Sequence, residues 1–350
     1  MSAVRIRKNG AVGHITLTRP KAMNALTHGM ALLMERALDD WALDPSVEYV
    51  VVDAEGDRAF CAGGDLLSLY QAGQAGDYAC AADFWRDEYR LNQKIATYPK
   101  PYTALMHGVV MGGGVGISAH GSHRIVTDNT MIAMPECSVG LIPDVGGSLI
   151  LANAPGHVGT YLGLTGERMG PGDAIFAGFA DTYVPSEKWH NLSNALKGGA
   201  GLEAIADCAA GPPEGNLPAR QSKIDEAFDC ETPSDAISAL EQLNEDWSVK
   251  AASKIKAASP LCVAAAWNTI LTARQNNNLA YALQAEFRFT SRGLEHGDFL
   301  EGIRAAVIDK DRSPKWTHAT LSDVPAELLA LMAEPAEGGD VTFGTTGEDV

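Results

Sequence analysis

Residues 102–121 read YTALMHGVVMGGGVGISAHG. The first five are apolar and strand-like, and the chain then runs through Gly108, Gly112, Gly113, Gly114 and Gly116 into sequence that reads as helix. A strand that passes through a glycine turn into a helix is the repeating unit of α/β folds. Glycine there lets the backbone come close to something else. Free N–H groups at the start of such a helix point out of the sheet and favour negative charge. The pattern recurs upstream: VEYVVVD (47–53) reads as a buried strand, and FCAGGDL (60–66) follows it. One glycine turn of this kind is ordinary geometry. Two that converge would supply the pair of N–H donors that a developing oxyanion needs.

Working outward, AVGHITLT (11–18) is a strand, and 3–8 is its hairpin partner across the Asn9-Gly10 turn. Residues 28–42 place Met30, Leu33, Met34, Ala37, Leu38 and Trp41 at helical spacing. Residues 122–133 hold a further strand or strand pair. After about residue 185 the patterns are helical, as in SPLCVAAAWNTILTAR (259–274), where Ser259 caps and Pro260 opens the helix. The expected organisation is an α/β core over 1–190 that carries the active site, a helical region over 191–320, and a mobile tail over 334–350, rich in Gly, Thr and acids.

Lys and Arg total 27 against 44 Asp and Glu, a formal net charge of −17 over 350 residues. That balance argues against nucleic acid and anionic membrane surfaces as partners. The six cysteines are irregularly spaced without CxxC, which points to free thiols in a reducing compartment and no zinc site. Residues 1–10 lead straight into strand-like sequence and no apolar run approaches membrane-spanning length, so a cytoplasmic protein is expected.

The chemistry-bearing stretch is MPECSVGLIPDVGG (134–147), in which Glu136 and Asp144 each follow a proline with no Lys or Arg between them. Plain structural roles compete: Glu136 as a helix cap or a hidden ion-pair partner, Asp144 as a helix N-cap. GxGxxG, P-loop, GxSxG and HExxH patterns are absent. His107, His120 and His123 lack a cysteine or carboxylate at metal spacing and read as polar or core residues. Two acids beside two N–H donor loops suffice for general-base or nucleophilic chemistry on an ester or thioester.

In order, RPKAMNAL (19–26), AFCAGGDL (59–66), HGVVMGGGVGISAHG (107–121), AMPECSVGLIPDVGG (133–147) and LTGERMGPGDAIFAGFADTYV (164–184) resemble the crotonase (enoyl-CoA hydratase/isomerase) superfamily. RDEYRLN (86–92) and DFLEGIRAAVIDKDRSPKW (298–316) extend the resemblance to about residue 317 and direct it to the β-hydroxyacyl-CoA thioester hydrolases of that superfamily. The resemblance implies a spiral of repeated ββα units with an appended all-helical C-terminal region, and an acyl-CoA substrate bound in a bent shape. It implies that the N–H groups of Gly64 and Gly113 hold the thioester oxygen, that Glu136 and Asp144 are the acids, and that Glu88 lines the acyl pocket. Hydratases of the superfamily carry a second glutamate where this chain has Gly116, which favours thioester cleavage, with a place in valine breakdown. A hydratase or double-bond isomerase is the alternative, and a non-catalytic acyl-CoA-binding protein a third. No metal or cofactor is implied. Arg19, Lys21 and Arg58 flank the first two motifs and are candidates for the CoA phosphates. The superfamily often forms homo-oligomers.

Overall fold

The computed structural model describes residues 3–344. Strands β1 (Val4–Asn9) and β2 (Val12–Leu17) form the expected hairpin, with Asn9 opposite Val12 across the turn. Thereafter each pair of strands splits between two sheets. β3 (Tyr49–Ala54), β5 (Tyr102–Met106), β7 (His123–Val126) and β9 (Thr182–Tyr183) extend the hairpin into one sheet, in the order β1-β2-β3-β5-β7-β9. β4 (Ala59–Cys61), β6 (Val109–Met111) and β8 (Met131–Ala133) form a second, smaller one. Every pairing after the hairpin is parallel. A chain that deposits one strand in each sheet and returns through a helix must wind as a spiral of ββα units, as expected. Apolar residues on both faces of β3 and β5 fit strands covered on both sides.

The helices of the core are α1 (His28–Leu43), α2 (Leu66–Gln74), α3 (Tyr78–Ala96), α4 (Gly113–Gly116), α5 (Gly147–Ala152), α6 (Val158–Thr165) and α7 (Pro171–Phe176). The Thr27 side chain caps α1, whose buried face is Met30, Ala31, Met34, Ala37, Leu38 and Trp41. Leu33, expected inside, points outward at 42% exposure, because Ala31 takes the inward place beside Met30 and Met34.

The helical region follows as α8 (Ser186–Lys197), α9 (Glu203–Cys208), α10 (Leu217–Phe228), α11 (Pro233–Leu243), α12 (Asp246–Ala257), α13 (Pro260–Asn276), α14 (Leu279–Gly293), α15 (Phe299–Ile303) and α16 (Ala326–Ala333). Ser259 caps α13 by accepting from the Cys262 N–H, with Pro260 in its first turn. Leu192 and Leu196 of α8 pack with Val12, Tyr49, Val51 and Leu105 of the large sheet, so the boundary set near residue 190 falls inside a helix that serves the core. α14 lies along α3, and α13 against α5.

The tail expected to be mobile departs from that expectation over 334–344. Arg288 pairs with Asp340, Arg86 donates to the carbonyls of Gly339 and Asp340, Arg292 donates to those of Glu334 and Pro335, and Val341 is buried. Composition gave no hint of this, because the partners are three arginines on α3 and α14. Residues 345–350 lie outside the described residues.

Candidate active site

The glycine loops that follow β4 and β6 meet at the C-terminal ends of those strands, where open α/β sheets place ligands. A methyl group built on Gly112 would lie 3.5 Å from Cα of Gly63, and one on Gly113 would lie 3.5 Å from the backbone nitrogen of Gly64. Leu26 donates to the carbonyl of Gly63 and accepts from Asp65, fixing the first loop on either side of Gly64. Gly112 has φ +46°, a conformation open to glycine, and it turns the chain into α4. Neither the Gly64 nor the Gly113 N–H donates to any other group among the described residues. Two free donors therefore converge in a buried place.

Glu136 reaches the same point. It begins a short 3-10 turn, Glu136–Val139, and its Oε1 would lie 3.3 Å from a methyl group on Gly112. Glu88, on α3, stands on the other side, where a methyl group on Gly113 would collide with its Oε1. Asp144 completes the set: its Oδ2 accepts from the Tyr89 hydroxyl at 2.8 Å. Glu88, Glu136 and Asp144 are 2%, 5% and 4% exposed, and among the described residues none has a Lys, Arg or His partner. Neither plain structural role holds. Glu136 makes no ion pair, and the capping position of α5 belongs to Gly146, without a side-chain cap from Asp144.

Burial without a counter-ion must raise the pKa of an acid. Loss of hydration raises Glu136 well above the usual carboxyl range, and Asp144 raises it further by like-charge repulsion. Glu88 is raised by the same two causes in the same order. Desolvation lifts Asp144 to about 7, against the lowering effect of the Tyr89 hydrogen bond. Burial thus raises the proton affinity of all three acids, which brings Asp144 into the range where general acid–base work is done.

Sequence reasoning missed three members of the site. Tyr89 and Asn92 lie in the RDEYRLN stretch beside Glu88, all buried on the face of α3 that meets the site. Glu286, in α14, is fully buried and accepts from the N–H groups of Gly146 and Ser148, at 2.7 and 3.0 Å, and from the Ser148 hydroxyl. Burial pushes it up to about 8. An acid within the apolar face Ala282, Leu283, Phe287, Thr290 was a readable signal. Its effect is positional. Val145 sits at φ +57°, a strained conformation for a β-branched residue, and its carbonyl lies 2.7 Å from His120 Nε2. Glu286 on one side and His120 on the other hold the segment that aims Asp144.

The expected phosphate cations fare unevenly. Arg19 is spent inside the fold: it pairs with Asp65 at 2.7 Å and donates to the Ala25 carbonyl at 2.5 Å. Its guanidinium locks the Leu26–Asp65 loop rather than waiting for a ligand. Lys21 and Arg58 are exposed, with Arg58 donating to the Pro20 carbonyl. A cavity of about 930 Å³ opens elsewhere, bordered by Met111, Pro135 and Ser138 from the loops around Gly112 and Glu136. Its rim carries Arg168, Lys250 and Lys254, exposed and without an ion-pair partner among the described residues, and Arg220, which pairs with Glu167.

A ββα spiral with two glycine loops meeting over a buried acid defines an enzyme of the crotonase class. Residues 12–332 match the enoyl-CoA hydratase/isomerase family, and the chain belongs to it. A Xenopus tropicalis protein named 3-hydroxyisobutyryl-CoA hydrolase, mitochondrial, is 38% identical over 93% of this chain and 86% of its own length. The Homo sapiens protein of the same name is 36% identical over 97% of this chain and 90% of its own. Among solved structures, one described as an enoyl-CoA hydratase from Rhodobacter sphaeroides 2.4.1 is 48% identical, with a TM-score of 0.93 over 98% of this chain and 100% of that one. One described as a carnitinyl-CoA dehydratase from Mycobacterium thermoresistibile is 40% identical, with a TM-score of 0.94 over 99% and 100%. No helix among the described residues is long and apolar enough to cross a membrane.

Proposed function

We propose that this protein is a thioester hydrolase that cleaves 3-hydroxyisobutyryl-CoA, and with it 3-hydroxypropionyl-CoA, to the free acid and CoA, as a step of valine breakdown. The observation that carries this reading is the space around Gly116. A methyl group there would lie 2.7 Å from Asn92 Nδ2 and 2.8 Å from Cβ of Val145. The position at which hydratases of the superfamily carry their second glutamate is taken up by Asn92 and Val145, which a glutamate side chain would have to displace. The remaining acids are Glu136 and Asp144, the pair that the resemblance assigns to thioester cleavage. The hydrolase names of the Xenopus and human relatives support the same reading. The hydratase and dehydratase descriptions of the two solved structures favour the hydratase alternative, which needs an acid that Gly116 cannot supply; a double-bond isomerase would need only one carboxylate.

In this reading the Gly64 and Gly113 N–H groups form an oxyanion hole for the thioester oxygen. Charge grows on that oxygen as the carbonyl becomes tetrahedral, and donors already in place there need no reorganisation. Glu136 either takes a proton from the attacking water or attacks the carbonyl itself to give a mixed anhydride. Asp144 either orients the 3-hydroxyl of the acyl group or gives a proton to the departing thiolate. Glu88 walls the acyl pocket. The cavity beside Met111 and Pro135 supports a path for CoA, with Arg168, Lys250 and Lys254 receiving its phosphates and Lys21 and Arg58 as the competing set. The free cysteines support a reducing compartment, the cytoplasm in this reading, and a homo-oligomer belongs to the same proposal.

The test is thiol release from a panel of acyl-CoA esters by wild type, Glu136→Gln and Asp144→Asn. Release from 3-hydroxyisobutyryl-CoA far above that from acetyl-CoA, lost in Glu136→Gln, is expected. Near-wild-type release by Glu136→Gln would refute the central assignment, and consumption of an enoyl-CoA without thiol release would favour the hydratase reading. Single turnover in heavy-oxygen water separates the two roles of Glu136: label retained in the glutamate marks the anhydride.

A further inference from the structure

Asn92 is fully buried on α3, and neither its Nδ2 nor its Oδ1 has a hydrogen-bond partner among the described residues. A primary amide offers two donors and an acceptor with two lone pairs, so a buried one that uses none is unusual. Its place explains the vacancy. Asn92 stands over Gly116, its Nδ2 and Oδ1 at 2.7 and 3.1 Å from where a methyl group would be. Two further unpartnered buried atoms ring the same short helix: Oε1 of Glu88, one turn before Asn92 on α3, and Oε2 of Glu136. Three polar side chains with unmet hydrogen-bonding capacity thus surround the strip from Gly112 to Gly116.

We infer that Asn92 is the residue that recognises the hydroxyl group of a 3-hydroxyacyl substrate; this rests on the thioester-hydrolase reading. The spacing fits. If the thioester oxygen sits at the Gly113 N–H, then Gly116 is three residues further along the helix, about 4.5 Å by helical rise. The 3-hydroxyl oxygen is four covalent bonds from the carbonyl oxygen, a comparable reach. The chemistry fits as well. A hydroxyl both donates and accepts, and a primary amide answers both without a charge. An acid in this place would add one more carboxyl to a group of acids already crowded by mutual repulsion. Asn92 therefore orients the substrate and leaves the proton of Asp144 free for the reaction. It fills the volume over Gly116 with a neutral group, where the alternative activity would need an acid.

The test compares 3-hydroxyisobutyryl-CoA with isobutyryl-CoA, which differs only by the hydroxyl, in wild type, Asn92→Leu and Asn92→Ala. The expected result is a loss of about ten- to a hundredfold in kcat/KM for the hydroxylated ester in both variants. The loss on isobutyryl-CoA should be at least about tenfold smaller than the loss on the hydroxylated ester, because no hydroxyl contact is lost there. Equal losses on both esters, or no loss on either, overturn the inference, since a packing role would not discriminate between them. Thermal unfolding of each variant checks the fold, and the smaller alanine serves if leucine overpacks the site. Calorimetric binding of both esters to Glu136→Gln, with and without Asn92→Leu, separates this inference from the hydrolase reading. If wild type releases no thiol from either ester, that reading fails. A binding preference for the hydroxylated ester that disappears with Asn92→Leu would still uphold the inference, and an unchanged preference would refute it.

Discussion

Tyr89→Phe isolates one interaction on which the chemistry depends. The Tyr89 hydroxyl donates to Oδ2 of Asp144 at 2.8 Å, and both groups are buried. Removing the hydroxyl leaves the ring packed against Phe287, where the two ring centroids are 6.3 Å apart. What is lost is the hydrogen bond to the carboxylate, worth about 1.5–3 kcal/mol, together with a longer contact to the Thr290 hydroxyl at 3.3 Å. That bond favours the ionised acid, so without it the Asp144 pKa, raised by burial to about 7, rises further. At 1.36 kcal/mol per unit the rise is about one to two units. With Asp144 supplying a proton to the departing thiolate, the descending limb of the rate profile moves from near pH 7 to about pH 8–9. At pH 8 the protonated fraction rises from about one-tenth to between about one half and nine-tenths, a gain of roughly five- to tenfold. Below about pH 6 the two proteins should differ little. The assay is initial-rate thiol release from 3-hydroxyisobutyryl-CoA between pH 5.5 and 9.5. A variant whose rate falls by one factor at every pH, with its limb unmoved, would show that Tyr89 supports the packing of α3 and not the ionisation of Asp144.

Gly113→Ala drives a methyl group into Glu88 Oε1 and towards the Gly64 nitrogen, so kcat should fall about a hundred- to a thousandfold with the protein still folded by circular dichroism. Lys250→Ala with Lys254→Ala should raise KM for CoA esters severalfold and leave it unchanged for pantetheine thioesters; Lys21→Ala with Arg58→Ala is the contrasting pair, and a KM effect confined to it would move the phosphates to the other face. Glu286→Gln tests linkage. A carboxyl raised from 4.5 to about 8 stabilises the fold fully below its unfolded value, and loses that contribution as the pH climbs towards 8. Wild-type stability in urea should therefore fall between about pH 5 and 8 by up to ~1.4 kcal/mol per pH unit from this group. The glutamine variant, less stable at low pH for want of one acceptor, should show a flatter slope, and an unchanged slope would mean that Glu286 does not carry the titration.

The ββα winding was legible because each repeat advertises itself locally: an apolar strand, a glycine turn, a helical run. Glu136 and Asp144 were legible for a related reason, since they stand in a short stretch whose glycine and proline serve no ordinary packing role, whereas Glu88 was singled out only by the resemblance of RDEYRLN. What escaped was set by tertiary contact. Arg19 looked like a free cation, and only the fold brings Asp65 and the Ala25 carbonyl to it. The tail at 334–344 looked too polar to pack, yet the arginines that hold it stand on helices far away in sequence. Glu286 could be marked as an acid on an apolar helix face, but its partners lie 140 and 138 residues away at Gly146 and Ser148, and no local pattern names them. Tyr89 and Asn92 were in view but not distinguished, because an apolar helix face with a few polar members has many innocent readings.

Among the described residues no cation stands beside the acids, and this has a physical consequence for the reaction. An arginine in reach would hold Glu136 ionised far below neutrality and leave it a weak base. Burial does the opposite: it raises the affinity for a proton, so that an ionised Glu136 is a strong base or nucleophile towards the thioester. The penalty is that neighbouring acids cannot all be ionised together, and the site must pass through protonation states in which one acid is charged and another neutral. That division is useful for cleaving a thioester, where one group must give up electrons or take a proton while another supplies one. Two of these acids, Glu136 and Asp144, differ in what fixes them. Glu136 is set by a proline-led 3-10 turn, Asp144 by a strained Val145 held between His120 and Glu286, and Tyr89 lowers the proton affinity of Asp144 alone. An unsymmetrical support of this kind pushes the two pKa values apart, and the pair then has an acid and a base at the same pH.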